Sequence, residues 1–286
     1  MKKALTLFMA IVILLSNANE VFATSNYSVS IDRSNISEGY ITVNYTGDDR
    51  NDILVRITKN GFRSHYHFIS LDETNILPLT RGNGTYTIEV FRRIGSYPSN
   101  RWANLFNTDI NVTLRCELLP FLQPNINSNF TSSGVIAELA TQLAHDYCPT
   151  ITTANIFQYM LNGFHICDEI RNSSRKPCFI PNLYELFITR RGWCFAQASM
   201  MTALLRLNDI PARLVFGYYD PQPRNTNHWH AWVEVHLPET GWTLFDPSTG
   251  AAVQYAFYHE PEAFSENRTM RVRSAERMNF RSEKLF

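Results

Sequence analysis

The hydrophobic periodicity of this chain changes once, between about residues 115 and 131, and that change decides what it can fold into. From Tyr27 to Leu114 apolar and polar residues alternate in short runs: Tyr27-Ser-Val-Ser-Ile31, Tyr40-Ile-Thr-Val-Asn-Tyr45 and Ile53-Leu-Val-Arg-Ile-Thr58. A period of two marks half-buried strands. Lys59-Asn60-Gly61 is a turn signal, and Tyr66-His-Phe-Ile69 continues the pattern. Asn83-Gly84, before Thr85-Tyr-Thr-Ile-Glu-Val-Phe91, is the strongest hairpin signal of the region. Asn111-Val-Thr-Leu114 reads as a last strand. About seven short strands in this span predict a small all-β sandwich of immunoglobulin-like type over residues 24–115. His65 and His67 have no third ligand nearby, so surface or packing roles fit them better than metal binding.

Residues 116–130 contain Pro120, Pro124 and several Asn and Ser, the composition of a linker. Beyond them the spacing turns helical, first after Ser133 (Val135 to Ala144), then over Thr153–Phe164, Pro181–Phe187 and Phe195–Leu207. Asn208-Asp209-Ile210-Pro211 halts the last of these, and strands are expected at Ala212–Tyr219, Ala231–Leu237 and Gly241–Phe245. Helices first and strands afterwards describe an α+β domain, placed at residues 131–260. Residues 261–286 form a C-terminal extension in which Arg268, Arg271, Arg273, Arg277 and Arg281 mix with Glu266, Glu276 and Glu283, as on a solvated segment.

The first 23 residues differ from the rest. Lys2 and Lys3 precede an apolar run from Ala4 to Leu15, and Val21-Phe22-Ala23 ends in a small-residue cleavage site. That run is too short for a spanning helix, which needs roughly 20 apolar residues. It predicts a cleaved secretory signal, with an uncleaved membrane anchor as the minor alternative, hence a secreted or cell-surface protein without an integral membrane segment once the signal is removed. Net charge is zero over the whole chain and stays near zero without Lys2, Lys3 and Glu20. Such a balance gives no electrostatic reason to expect nucleic acid as a partner. Export would place Cys116, Cys148, Cys167, Cys178 and Cys194 where disulfides can persist. An odd count fits one reactive thiol and two disulfides. Cys167 with Cys178 and Cys116 with Cys148 closes the shortest loops, and two other pairings stay open.

Cys194 is the thiol whose surroundings carry chemistry. It follows Arg191-Gly192-Trp193, at or just before the first turn of the helix that ends near Leu207. Unpaired amides and the partial positive charge of a helix start favour thiolate over thiol, and the same amides can hold an oxyanion. Ala196, Met200, Ala203, Leu204 and Leu207 form one stripe that would anchor this helix in the core. His230 lies at the mouth of the strand Ala231–Leu237, and the turn residues Pro238-Glu-Thr-Gly241 send the chain back toward Asp246-Pro247. A thiol nucleophile, an imidazole acid–base and a carboxylate that orients the ring are what acyl transfer from an amide requires. Trp193 and Trp229 flank the catalytic positions and are candidates to wall an acyl channel. Each signal alone has a plainer explanation: a secreted Cys is commonly half of a disulfide, and Asp-Pro after a strand is ordinary turn material. His228 fits a surface or packing role better than His230 does.

Taken together, Gly192-x-Cys194 with Ala198, Leu204-Leu-Arg206, Ile210-Pro-Ala-Arg213 with Gly217, His230-Ala-Trp-Val-Glu234-Val and Gly241-Trp-x-x-Phe-Asp246-Pro resemble the core of the transglutaminase-like superfamily, in its secreted bacterial form. The likeness spans roughly Arg191 to Ser248. It implies a papain-like α+β fold and a triad of Cys194, His230 and Asp246 that acts on peptide or Gln carboxamide bonds through a thioester. No cofactor is implied; some members of the superfamily use calcium, but no Asp-rich loop of the kind calcium requires is present. Asn208-Asp209 stands where the family usually has Gly. Arg213 and Glu234 belong to the pattern as substrate contacts or as a buried pair supporting the strands. The expected partner is a protein or peptide substrate, with cell-wall peptides and surface proteins within reach of an exported enzyme. A catalytically silent binding or scaffold module is the alternative from another class.

Overall fold

The computed structural model describes residues 20–23, 27–47, 53–68, 74–95, 101–146, 148–167, 181–219 and 228–249, with the short pairs 258–259, 270–271 and 279–280. Most of the predicted secretory signal and most of residues 250–286 lie outside the described residues, as does Cys178.

The N-terminal part consists of β1 (Glu20–Ala23), β2 (Tyr27–Asp32), β3 (Tyr40–Gly47), β4 (Ile53–Lys59), β5 (Phe62–Phe68), β6 (Asn75–Pro78), β7 (Gly84–Ile94) and β8 (Arg101–Val112). They form two four-stranded antiparallel sheets, in the orders β1-β2-β3-β6 and β5-β4-β7-β8. Alternation drives the assembly: Val29, Ile31, Ile41, Val43, Ile53, Val55, Ile88 and Val90 are all fully buried in one shared core. Strand β1 is the edge partner of β2, so cleavage after Ala23 would leave the sheet as β2-β3-β6.

Hairpin geometry falls at Asn60-Gly61, where both residues take positive φ (50° and 83°) and Lys59 pairs with Phe62. A two-residue turn with both central φ positive matches the right-handed twist of its strands. Asn83-Gly84, predicted as the strongest hairpin signal, does not close one. Strand β6 pairs with β3, whereas β7 pairs with β4 and β8, so this segment crosses between sheets. Polar side chains fill the crossing. Lys59 Nζ donates to the carbonyls of Arg81 (2.7 Å), Gly82 (2.8 Å) and Asn83. Tyr86 Oη accepts from Arg81 N–H at 2.9 Å and donates back to the Gly82 carbonyl at 2.8 Å. Asn83 Oδ1 accepts the Leu114 amide at 2.7 Å. The last strand, β8, begins ten residues earlier than the alternation at Asn111 suggests. Its outward residues are polar and pair across the sheet, Asn111 with Thr85 and Asp109 with Thr87, both at 2.7 Å.

Residues 116–130 are packed rather than extended. A 3-10 turn at Leu119–Leu122 seats Pro120 on Gly39 and Phe121 edge-on against Trp242, with ring centroids 4.9 Å apart. Ser128 Oγ donates to the Ser199 carbonyl at 2.9 Å, and Arg206 Nη1 donates to the Gln123 carbonyl at 2.6 Å. Gly39 has φ 90°, and a Cβ there would stand 2.6 Å from Pro120 Cγ. Gly39→Ala is therefore expected to lower stability by roughly 2–3 kcal/mol, from left-handed strain plus the lost contact. Urea unfolding checks this, and an unchanged midpoint would mean the linker is not seated there.

The C-terminal part runs α1 (Val135–Leu143), α2 (Pro149–Gly163), β9 (His165–Ile166), α3 (Leu183–Thr189), β10 (Arg191–Gly192), α4 (Cys194–Arg206), β11 (Ala212–Tyr219), β12 (His228–Leu237), β13 (Gly241–Phe245) and β14 (Tyr258–His259). Strands β13-β12-β11-β14 make an antiparallel sheet whose Ala231, Val233, Val235, Ala212, Leu214 and Phe216 share the core with α4. Twelve of the thirteen residues of α4 are buried. That helix ends as Asp209 takes φ 55° and Ile210 N–H returns to the Leu205 carbonyl. Asp209 thus occupies the left-handed position that Gly usually fills, which Asp tolerates through its short polar side chain.

Candidate active site

Cys194 is the first residue of α4, and Trp193, in extended conformation, is its N-cap. The chain reaches this point through a left-handed Arg190 (φ 56°) that caps α3, and then through β10. Strand β10 is held in parallel register by β9, and Cys167 N–H donates to the Gly192 carbonyl at 3.1 Å. Gln197 Nε2 reaches the same carbonyl at 3.4 Å from the first turn of α4. A Cβ on Gly192 would lie 2.7 Å from Leu186 Cδ1, so glycine lets α3 come this close to the cysteine turn. The Gln197 amide is satisfied by the Trp193 carbonyl, and the Cys194 amide is one of the first-turn amides that have no partner within the helix.

His230 and Asp246 are brought together by parity. Strand β12 pairs with β13 in the register Leu237↔Gly241 and Val233↔Phe245. Directly paired residues share a face and successive residues alternate, so Asp246 falls on the side of Trp232 and of His230. Their contact closes just past the strand end, with His230 Nε2 at 2.6 Å from Asp246 Oδ2. Both side chains are buried, Asp246 completely.

His230 is also hydrogen-bonded to Cys194, which leaves Nε2 for Asp246 and presents the other ring nitrogen to the sulfur. Burial alone would lower the imidazole pKa. The negative charge of Cys194, the hydrogen bonds to Asp246 and Cys194 and the charge of Asp246 overcome it and raise the value to about 10. The ring is consequently an imidazolium at neutral pH. Cys194 is half-buried and carries no disulfide.

The remaining predicted residues are placed as follows. Trp193 is half-buried, its ring edge-on to Phe195 at 5.7 Å between centroids. Trp229 lies on β12 opposite Tyr218, and its side chain lies outside the described residues. Arg213 and Glu234 are directly cross-strand and form an ion pair at 2.8 Å, with the guanidinium 3.7 Å from the Trp242 ring centroid. They brace the sheet rather than line the approach to Cys194. The pairing of Cys116 with Cys148 is not formed, and Cys116, Cys148 and Cys167 all stand as free thiols. Cys116 opens the packed linker, Cys148 caps α2, and Cys167 is buried beside Arg191, whose Nη2 is 3.4 Å from its sulfur. The pattern also gave no role to Ser248 and Thr249, which both hydrogen-bond Asp246. Nothing in the sequence singles them out, because Ser and Thr after Asp-Pro are ordinary turn residues. Among the described residues no three His, Cys, Asp or Glu gather as a metal site.

Residues 140–247 match the family described as the transglutaminase-like superfamily. An uncharacterized protein, YebA, of Bacillus subtilis is 39% identical over 77 residues, covering 23% of this chain and 10% of that protein. A protein-glutamine gamma-glutamyltransferase of Pseudomonas aeruginosa is 39% identical over 71 residues, covering 22% and 11%. The chain thus spans about a tenth of the length of the curated relatives it matches. Among solved structures, the periplasmic domain of TgpA from Pseudomonas aeruginosa aligns over 79% of this chain and 94% of its own, at 19% identity and a TM-score of 0.35. The matched segment contains α4, the three long strands of the sheet and all of Cys194, His230 and Asp246, so the chain carries a transglutaminase-like domain over residues 140–247.

Proposed function

We propose that this protein is an exported thiol enzyme that cleaves or exchanges amide bonds through a thioester on Cys194. One observation carries the reading: a buried His230 hydrogen-bonded at once to Asp246 and to a cysteine at the start of a buried helix. Cys194 as thiolate attacks the carbonyl carbon of a peptide or Gln carboxamide, forming a C–S bond. Charge collects on the carbonyl oxygen, where the Cys194 amide at the helix start is placed to receive it. As the C–N bond breaks, His230 gives its proton to the departing amine or ammonia. A second amine or a water then attacks the thioester and returns a proton to His230, while the thiolate leaves. Asp246 holds the ring tautomer throughout. Trp193 and Trp229 are read as walls of the acyl approach.

The N-terminal residues 24–115 are read as an immunoglobulin-like sandwich. The support is the strand order β2-β3-β6 against β5-β4-β7-β8, and Tyr86 near the start of β7 hydrogen-bonding back to the Gly82 carbonyl, the arrangement of a tyrosine corner. Export rests on the basic and apolar start of the chain, and no described helix is long and apolar enough to cross a membrane.

The similarity to a protein-glutamine gamma-glutamyltransferase favours Gln carboxamides as acyl donors. The test is to offer a Gln-containing peptide mixture with a labelled primary amine, with Cys194→Ala as control. Label incorporation is expected from a transferase, ammonia without label from a deamidase, and new peptide termini from a protease. Equal behaviour of Cys194→Ala and the unaltered protein would end the enzyme reading.

A further inference from the structure

We infer that Ser248 and Thr249 are positioning residues of this centre, clamping the Asp246 carboxylate in its ionised form with one oxygen presented to His230. The inference rests on the reading of Cys194, His230 and Asp246 proposed above. Asp246 is fully buried, yet its two oxygens face five donors. Oδ1 accepts from Ser248 N–H at 2.9 Å, Ser248 Oγ–H at 2.7 Å and Thr249 N–H at 3.3 Å. Oδ2 accepts from Thr249 Oγ1–H at 2.8 Å and from His230 Nε2–H at 2.6 Å. Ser248 Oγ also stands 3.4 Å from His230 Nε2.

The local sequence builds this clamp. Pro247 has no N–H and a fixed φ, so the first amides after Asp246 belong to Ser248 and Thr249, and both curl back onto the carboxylate. A carboxyl group rotating about its Cβ–Cγ bond would break every one of these bonds. Oδ2 is therefore held toward Nε2, and the ring with it toward the sulfur. Hydrogen bonds to the charged form of a carboxylate favour that form, and a buried carboxylate without them would take up a proton more readily. Cys194 from α4 and Asp246 from the exit of β13 are the charged groups that act on His230, so a proton on Asp246 leaves the imidazolium with only the thiolate to stabilise it.

The measurement is the rate of Cys194 alkylation by iodoacetamide against pH, with ultraviolet thiolate absorbance followed in parallel, in Thr249→Val, Ser248→Ala, the double variant and the conservative Thr249→Ser. Thr249 is exposed, so its replacement leaves the core intact. The acid limb is expected to move up by about one pH unit in Thr249→Val, by more in the double variant, and to return in Thr249→Ser. A merely structural role would lower the folded fraction without moving the limb. Fast alkylation of the unaltered protein with an unmoved limb in Thr249→Val, or a limb equally displaced in Thr249→Ser, overturns the assignment alone. Alkylation of the unaltered Cys194 no faster than that of the exposed Cys116 overturns it together with the enzyme reading.

Discussion

His230→Ala is expected to slow alkylation of Cys194 at pH 7 by roughly tenfold or more, because it removes the imidazolium hydrogen-bonded to the sulfur. Amide turnover should fall further, by roughly a thousandfold or more, since the same substitution removes the acid that protonates the leaving amine. The pH dependence follows from the raised imidazole. With its pKa at about 10, His230 holds its proton through neutrality and loses it only as pH rises through about 10. Amide cleavage by the unaltered protein should therefore persist above pH 8 and decline toward 10, rather than falling where a free imidazole titrates, about 6.5. Pseudo-first-order alkylation rates measured across pH for both proteins decide it. Matching curves would show that the imidazole does not govern the sulfur.

Legibility from sequence followed the strength of the local rule. Ala212–Tyr219 and Gly241–Phe245 emerge residue for residue, because β-rich runs bounded by Pro211, by the Pro238–Gly241 turn and by Pro247 admit one boundary. Helix α4 emerges within a residue at each end, since a buried helix shows its apolar stripe and its stop. The N-terminal sheets were harder. Asn83-Gly84 is a residue pair that hairpins favour, but only Gly84 takes a positive φ here, and composition does not choose a partner; Lys59 reaches this segment from β4 and holds it at the crossing. Strand β8 hides behind polar cross-strand pairs, and β6 is too short for periodicity to register. At the site, the approach of His230 to Asp246 follows from turn length and parity. The clamp on Asp246 does not, because Ser and Thr after Pro are common loop residues, and only burial of the carboxylate gives them a task.

Glu234→Gln should be the most destabilising of the conservative substitutions near the site. Arg213 and Glu234 are both largely withdrawn from water, with side chains 14% and 3% exposed. Removing one charge leaves the other buried without its counterion, which typically costs 3–5 kcal/mol; the residual exposure of Arg213 places this pair near about 3. Arg213→Met should cost a comparable amount through the abandoned Glu234 and also lose the guanidinium stacked on Trp242. The double variant Arg213→Met with Glu234→Leu should cost much less than the sum, because no charge is then stranded and the methionine can refill the space beside Trp242 and Phe121. Urea unfolding of the four proteins measures the cycle. Glu234 lies four residues from His230 on the same strand and face, so a loosened pair would also be free to disturb the imidazole. Alkylation of Cys194 in the folded fraction separates the two effects: a normal rate with a lowered midpoint assigns the pair to the sheet. A slowed rate at full stability would instead return Arg213 and Glu234 to the chemistry.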